Sequence, residues 1–462
     1  MNSEATRDLS DGLTSSPSIR QRLGAMLERG VDAIGPWGPR RILRELQQVL
    51  DPAVSEVEGG RRAAALAQWY AGATPEQRRE CWVLMSEHFA PDVSAIESAH
   101  AAYEAVRGTD DEARAELHLR RAFTAPRTRL LQRFSAYPGG VRFLVDLRAE
   151  LLPQLRKDKR LVALDGELQE LFSTWFDVGF LELRRISWDS PASLIEKLIQ
   201  YEAVHDIRSW QDAKNRLDED RRCYSFFHPR MPGEPLIFVE VALLREMAGG
   251  IVPLLDEEAA PADLDKATCA IFYSISNTQS GLKGVSFGDE LIKRVVEELQ
   301  TEFPRLKVFA TLSPIPGLRA WLGRNLDARL QATPARARAE LARELGVAQL
   351  AAADLQGALD GVAQWPEKSA RARWLLAAAA HYLAREHIEG GRPLDAVTRF
   401  HLGNGARIER INWLGDPSPK GLRQSYGLMV NYLYDLKRLD KHRRELAQGT
   451  VPVAGAVQGL LD

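Results

Sequence analysis

From residue 16 to about residue 180, apolar residues recur at intervals of three and four, the period of an amphipathic helix. "SPSIRQRLGAMLERGV" and "GGRRAAALAQWYAGA" show it plainly. "TPEQRRECWVLMSEHF" adds start signals, with Thr74 as N-cap, Pro75 in the first helical position and Glu76 in the first turn. "PGGVRFLVDLRAELLPQL" and "LVALDGELQELFSTWFDVG" continue the series. With no strand patterning between them, these segments predict a helical bundle over residues 16–185. The polar stretch 1–15 holds too few apolar residues to fold and is expected to be disordered.

The period changes near residue 185. "SPASLIEKLIQYEAV" is still helical, with Ser190 placed to cap it. "RCYSFFHP" and "LIFVEVALL" then read as strands joined by the turn "RMPGEP", which makes a hairpin. "ATCAIFYSIS" reads as a further buried strand, and "LKVFATLS" as another. Pro314, Pro316 and Gly317 follow at once, so this last strand is expected to stop at Ser313, because proline cannot donate to a ladder. Residues 334–388 turn helical and alanine-rich again, as an insertion in the second domain, and mixed patterning returns in the tail. The fold class expected is therefore α+β and multidomain: a helical N-terminal domain, then an α/β domain over residues 186–462.

Composition narrows the function classes. A chain of 462 residues exceeds a single typical core, in keeping with two or three domains. A formal net charge of -2 argues against broad nucleic-acid binding. No run approaches the roughly 18 apolar residues of a membrane span. The first residues lack an apolar signal core and carry Glu4, Asp8 and Asp11. Cys81, Cys223 and Cys269 are scattered and form neither a disulfide framework nor a zinc motif, so a reducing cytoplasmic setting is expected. Leftover apolar helix faces in the N-terminal half lead us to expect a homo-oligomer, a dimer or tetramer.

The chemistry concentrates in residues 267–318. A strand ending near Ser276 leads into a polar loop with Gly281, Gly284 and Gly288. An amphipathic helix begins near Asp289, and a second strand follows it. Unpartnered amides at such a helix start attract anions, phosphates above all, and glycines let the backbone approach closely. Lys283 adds a charge. The spacing is neither that of a P-loop nor that of a dinucleotide fingerprint, and a bland glycine-rich connection reads equally well. Ligands in α/β folds gather beyond strand carboxyl ends, so Ser276 and Ser313 are expected to face one crevice. His401 lies just before the turn Gly403-Asn404-Gly405; alone, a histidine there reads as a packed residue more often than a catalytic one.

Taken together, "YSISNTQSGLKGVSFGDELIKRVVEELQTEFP", "LSPIPG", "RFHLGNGA", "INW" and "GLMVNYLY" resemble the malonyl-CoA decarboxylase family. "CYSFFHPRMPGEPLIFVEVAL" fits as well. The resemblance runs over most of the chain, in long separated blocks in the same order. It implies a helical N-terminal domain plus a GNAT-like (acyl-CoA N-acyltransferase-type) catalytic domain. It implies conversion of malonyl-CoA to acetyl-CoA and CO2, with neither metal nor organic cofactor.

Carried over by position, the resemblance makes Ser313 and His401 catalytic. It makes "KGVSFGD" (Lys283, Gly284, Val285, Ser286, Phe287, Gly288 and Asp289) the acyl-CoA segment and sets Tyr434 near the active site. The glycine-loop reading adds Gly281 as a phosphate-binding position. Some relatives carry a glutamate where this chain has Ser286, whose hydroxyl can still donate a hydrogen bond. Asn412 is a further candidate donor in the pocket. Ser313 is then expected to hold the malonyl carboxylate or relay a proton, within hydrogen-bonding reach of His401. Two other readings stay open at this point: a GNAT-type acyltransferase, or a CoA-binding scaffold without activity.

Overall fold

The computed structural model describes residues 37–285 and 288–462. The disordered tail expected over 1–15, and the helix expected over 16–31, lie outside them. The chain divides into two compact units. One reaches to Tyr137 and takes in Lys157–Leu164; the other holds Pro138–Arg156 and Asp165–Asp462.

The first unit is helical. Its helices Pro39–Val49, Glu56–Ala71, Pro75–His88 and Pro126–Ser135 bury Leu46, Leu66, Trp82, Leu130 and Phe134. Thr74 caps its helix as expected: its hydroxyl accepts from the Gln77 amide, and the Gln77 side chain accepts from the Thr74 amide at 3.0 Å.

In the second unit the described residues form one sheet of eight strands. They are β1 (Glu182–Ile186), β2 (Arg221–Phe227), β3 (Pro235–Leu244), β4 (Cys269–Asn277), β5 (Val308–Thr311), β6 (Ser313–Pro314), β7 (Arg407–Asn412) and β8 (Met429–Leu433). The order is β1-β2-β3-β4-β5-β8-β6, with β7 also paired to β8. β2 and β3 form the expected hairpin. β4 and β5 run parallel, joined through the helix Gly288–Glu302, as a strand–helix–strand unit requires. Between β6 and β7 come the helices Leu318–Ala332, Ala335–Leu345, Ala352–Leu359, Ala370–Arg385 and Ala396–Gly403.

The alternation of side chains explains the core. Cys269, Ile271 and Tyr273 of β4 share a face with Ala310 and Leu312, and Ile251, Leu254 and Met429 pack against it. Cys223 sits in a second cluster with Ile195, Leu198 and Phe238, so both cysteines serve as small core residues.

Two local expectations change. Ser190 does not cap the helix Ala192–Tyr201; Pro191 holds that position, and the Ser190 hydroxyl accepts from the Ser187 amide at 3.1 Å. Nor does pairing stop at Ser313. β5 ends at Thr311, and Ser313 and Pro314 pair anew with Val430 and Met429 of β8. Proline is tolerated there because β6 is a sheet edge.

Glu240 interrupts the apolar run of β3 and is wholly buried. Burial, and then Glu202, push its carboxyl up to about 8, and Arg216 acts against them. Arg216 donates to Glu240 at 3.0 Å and to Asp212 at 2.8 Å. Arg216 and Asp212 form a buried ion pair, so removing Arg216 strands Asp212 and takes the donor from Glu240. Arg216→Met is therefore expected to lower stability by about 3–5 kcal/mol, read as a shift of the urea unfolding midpoint.

Candidate active site

A parting of strands opens the site. β4 pairs with β5 only from Cys269↔Val308 to Phe272↔Thr311, and a last bond runs from the Leu312 amide to the Phe272 carbonyl at 3.0 Å. β4 nevertheless continues to Asn277 against β3. A bulge falls at this point. Glu240 pairs with Ser274 and Val241 with Phe272, so Tyr273 is the extra residue and bends the strand. On the other side the chain, already paired with β8 at Ala310, parts from β4 and stays with β8. A cavity of about 250 Å³ occupies the gap. Its walls are Phe272–Ile275 and Asn277 from β4, Ser313 and Pro314 from β6, and Ala396, Val397, Phe400 and His401 from the helix Ala396–Gly403. Val204 and Ile237 complete it.

Side chains replace the main-chain ladder where β5 gives way to β6. Ala310 pairs with Leu433 and Ser313 with Val430, so the register is the same on both sides of the break. Between them the Thr311 carbonyl accepts from Asn431 Nδ2 at 2.7 Å, and the Thr311 hydroxyl accepts from the Tyr432 amide at 3.2 Å. Asn431 is completely buried and spends its whole amide: Nδ2 also donates to the Ala248 carbonyl, while Oδ1 accepts from Arg410 and from Asn412.

These bonds aim Ser313. Its Oγ lies 3.2 Å from His401 Nε2 and donates to Thr311 Oγ1 at 2.9 Å. His401 Nδ1 lies 2.8 Å from the Tyr434 hydroxyl. The ring stacks on Tyr432, with centroids 4.5 Å apart. Asp395 caps the helix by accepting from the Thr398 amide, and the Thr398 hydroxyl meets that of Tyr432 at 2.7 Å, so the stacking partner is itself held. Burial pushes the His401 imidazole down to about 3, which keeps it neutral near pH 7.

Glu202 secures the opposite wall. Its carboxylate accepts from the hydroxyls of Ser274 and Ser276 and from the amides of Val204 and His205. Ser276, expected to face the crevice with Ser313, does not line this cavity; Ser274, whose hydroxyl Glu202 also accepts, lines it instead.

The glycine loop is anchored from behind. Arg148, 1% exposed in the helix Gly140–Leu151, donates through Nη1 to the carbonyls of Gly281 (2.8 Å) and Lys283 (2.9 Å). Asp165 and Gln169 accept its other donors. Gly281 passes so close to the Val145 carbonyl that any Cβ would overlap it. Lys283 and Gly284 are exposed, Val285 is buried, and Gly288 begins the helix Gly288–Glu302. Ser286, Phe287 and the side chain of Asp289 lie outside the described residues.

So Ser313, His401 and Tyr434 come together, as expected of neighbours in a site. Asn412 stands apart from this cavity and supports Asn431. Thr311, Asn431, Tyr432, Glu202 and Arg148 escaped the sequence-based reading. One signal was available: Arg148 occupies a position of the apolar stripe Val141, Leu144, Val145, Leu151, where an arginine must be paired.

The family model for the malonyl-CoA decarboxylase C-terminal domain matches residues 179–462, and that for the N-terminal domain matches residues 89–176. The chain belongs to the malonyl-CoA decarboxylase family. It is 36% identical to the goose (Anser anser anser) protein named "Malonyl-CoA decarboxylase, mitochondrial", over 92% of this chain and 86% of that one. It is also 36% identical to the rat (Rattus norvegicus) protein of the same name, over 91% and 92%. The crystal structure of malonyl-CoA decarboxylase from Rhodopseudomonas palustris is similar at TM-score 0.79 and 40% identity, covering 92% of this chain and all of that one (100%). That from Agrobacterium vitis is similar at TM-score 0.80 and 40% identity, covering 91% and 99%. Within the family, then, this member combines a helical unit with a mixed sheet. Among the described residues it has no helix long and apolar enough to cross a membrane, and no group of three or more His, Cys, Asp or Glu arranged to hold a metal.

Two measurements follow. Unfolded His401 takes a proton below its ordinary value of 6.5, whereas the folded ring does so only near pH 3. The unfolded state then binds more protons, so stability falls as pH falls through that window. Relative to His401→Gln, the native chain is expected to lose up to about 1.4 kcal/mol per pH unit below pH 6.5, read from urea melts at stepped pH. Arg148→Met leaves the carbonyls of Gly281 and Lys283 without their donor, and amide exchange over residues 280–285, followed by mass spectrometry, is expected to accelerate.

Proposed function

We propose that this chain converts malonyl-CoA to acetyl-CoA and CO2, with Ser313 and His401 as its catalytic residues. The observation that carries the assignment is the Ser313–His401 contact of 3.2 Å on the wall of a cavity, in a chain of this family. Malonyl-CoA loses CO2 when the bond from Cα to the carboxylate aligns with the thioester π system. The bonding pair then enters the thioester carbonyl as an enolate. The carbonyl is itself the electron sink, so no cofactor is called for. The apolar walls, Val204, Ile237, Phe272, Val397 and Phe400, keep water from the leaving carboxylate.

The enolate Cα must next gain a proton. Ser313 gives it, His401 Nε2–H restores the serine hydroxyl, and the Tyr434 hydroxyl replaces the imidazole proton at Nδ1. The relay ends with a Tyr434 phenolate and the imidazole proton on Nδ1. Once product leaves, Nδ1–H returns to the phenolate while Nε2 takes a proton from Ser313 and Ser313 takes one from solvent in the cavity. The starting tautomer is restored, and one proton enters per carbon–carbon bond broken. A neutral imidazole suits this role, because it passes a proton on while taking another.

The segment Gly281–Asp289 is assigned to the CoA end of the substrate. In support stand its exposed Lys283 and Gly284, the anchoring by Arg148, and the helix that opens at Gly288. Asn412 enters as a support for Asn431 rather than a substrate donor. We place the chain in the cytosol, since all three cysteines are buried free thiols, and as a homo-oligomer; fractionation and light scattering check both.

Purified protein given malonyl-CoA alone is expected to release CO2 and acetyl-CoA with no acceptor present. Ser313→Ala and His401→Asn are each expected to lower kcat by about 10²–10⁴-fold. Near-native CO2 release from both folded variants overturns the catalytic assignment.

A further inference from the structure

The hydroxyl of Thr311 has a place that the pair itself does not explain. Thr311 is completely buried in β5, two residues before Ser313. A β-branched side chain in a strand has a restricted χ1, so the backbone aims its oxygen. That oxygen accepts twice, from the Tyr432 amide at 3.2 Å and from the Ser313 hydroxyl at 2.9 Å. A hydroxyl oxygen has two acceptor sites, so both are spent.

The consequence runs along the chain of contacts. The Ser313 proton points to Thr311, so the serine turns a lone pair towards His401. The 3.2 Å contact is then a hydrogen bond only if Nε2 carries the imidazole proton. A neutral ring holds one such proton, so Nδ1 is bare and accepts from the Tyr434 hydroxyl at 2.8 Å.

We infer that Thr311 is a positioning residue that fixes the direction of the proton chain, Tyr434 to His401 to Ser313, by accepting the serine proton. Resting on the catalytic assignment above, this deepens it: the relay stands loaded before substrate arrives, and only the Ser313 hydroxyl must swing from Thr311 to Cα. Without the Thr311 oxygen the Ser313 proton is free to turn to Nε2, which reverses the chain and places the imidazole proton on Nδ1.

The test is ¹⁵N NMR of the full chain with labelled histidine, alongside kinetics. His401→Asn identifies the His401 signals among the 9 histidines. The native protein is expected to show the Nε2–H tautomer. Thr311→Val is expected to move it towards Nδ1–H and to lower kcat about ten- to hundredfold, with KM changed less than about threefold. Thr311→Ser, which keeps the acceptor, is expected to restore both tautomer and rate. An Nδ1–H tautomer in the native protein overturns the inference whatever the variants do, so a valine variant that fails to fold does not protect it. Native kcat with an unchanged tautomer in Thr311→Val also overturns it. Near-native activity of Ser313→Ala overturns the catalytic pair instead, and the native tautomer still decides the direction of the chain.

Discussion

The loss of main-chain pairing beyond Phe272↔Thr311 is the constraint on which the site depends. Two parallel strands bonded along their length leave no room between them. Here β4 bends at a bulge and continues with β3, while its neighbour parts from it and keeps only β8. The wedge between them is the cavity, and Ser313 is the first residue past the parting. A serine at the end of a regular strand would lie flush with the sheet. At this one, its hydroxyl faces a helix that carries His401.

Parting strands leave buried polar groups that need partners, since an unmet donor or acceptor is expensive inside a protein. The chain meets this need with side chains. Asn431 and the Thr311 hydroxyl stand in for ladder bonds on one wall, and Glu202 collects two hydroxyls and two amides on the other. Arg148 does the same for the carbonyls of the glycine loop. Networks of this kind are rigid when every member is satisfied. That rigidity suits chemistry in which one hydroxyl must be held against one imidazole.

Gly317 illustrates how a local argument changes in three dimensions. Read along the chain, it belongs with Pro314 and Pro316 as a stop after the serine. In the fold its φ of -91° is open to any residue. What demands glycine is the Tyr382 hydroxyl, which occupies the space a Cβ would need. Tyr382 in turn reaches Asp395, the cap of the helix that presents His401.

The sequence by itself determined the elements that depend on neighbours along the chain. The helical period of the first half, the hairpin of β2 and β3, and the strand–glycine loop–helix–strand unit are all local, and all were legible. So was the family, because its blocks lie in order along most of the chain. The tertiary structure alone decided which polar residues met. Thr311 and Tyr432, Asn431 and Asn412, Arg148 and the loop at Gly281 are contacts between segments from 19 to 133 residues apart. A lone arginine in an apolar stripe, or an asparagine in an apolar strand, announces that a partner exists. It does not say which, because hydrogen-bond partners are set by register and crossing, and these exist only once the sheet has formed.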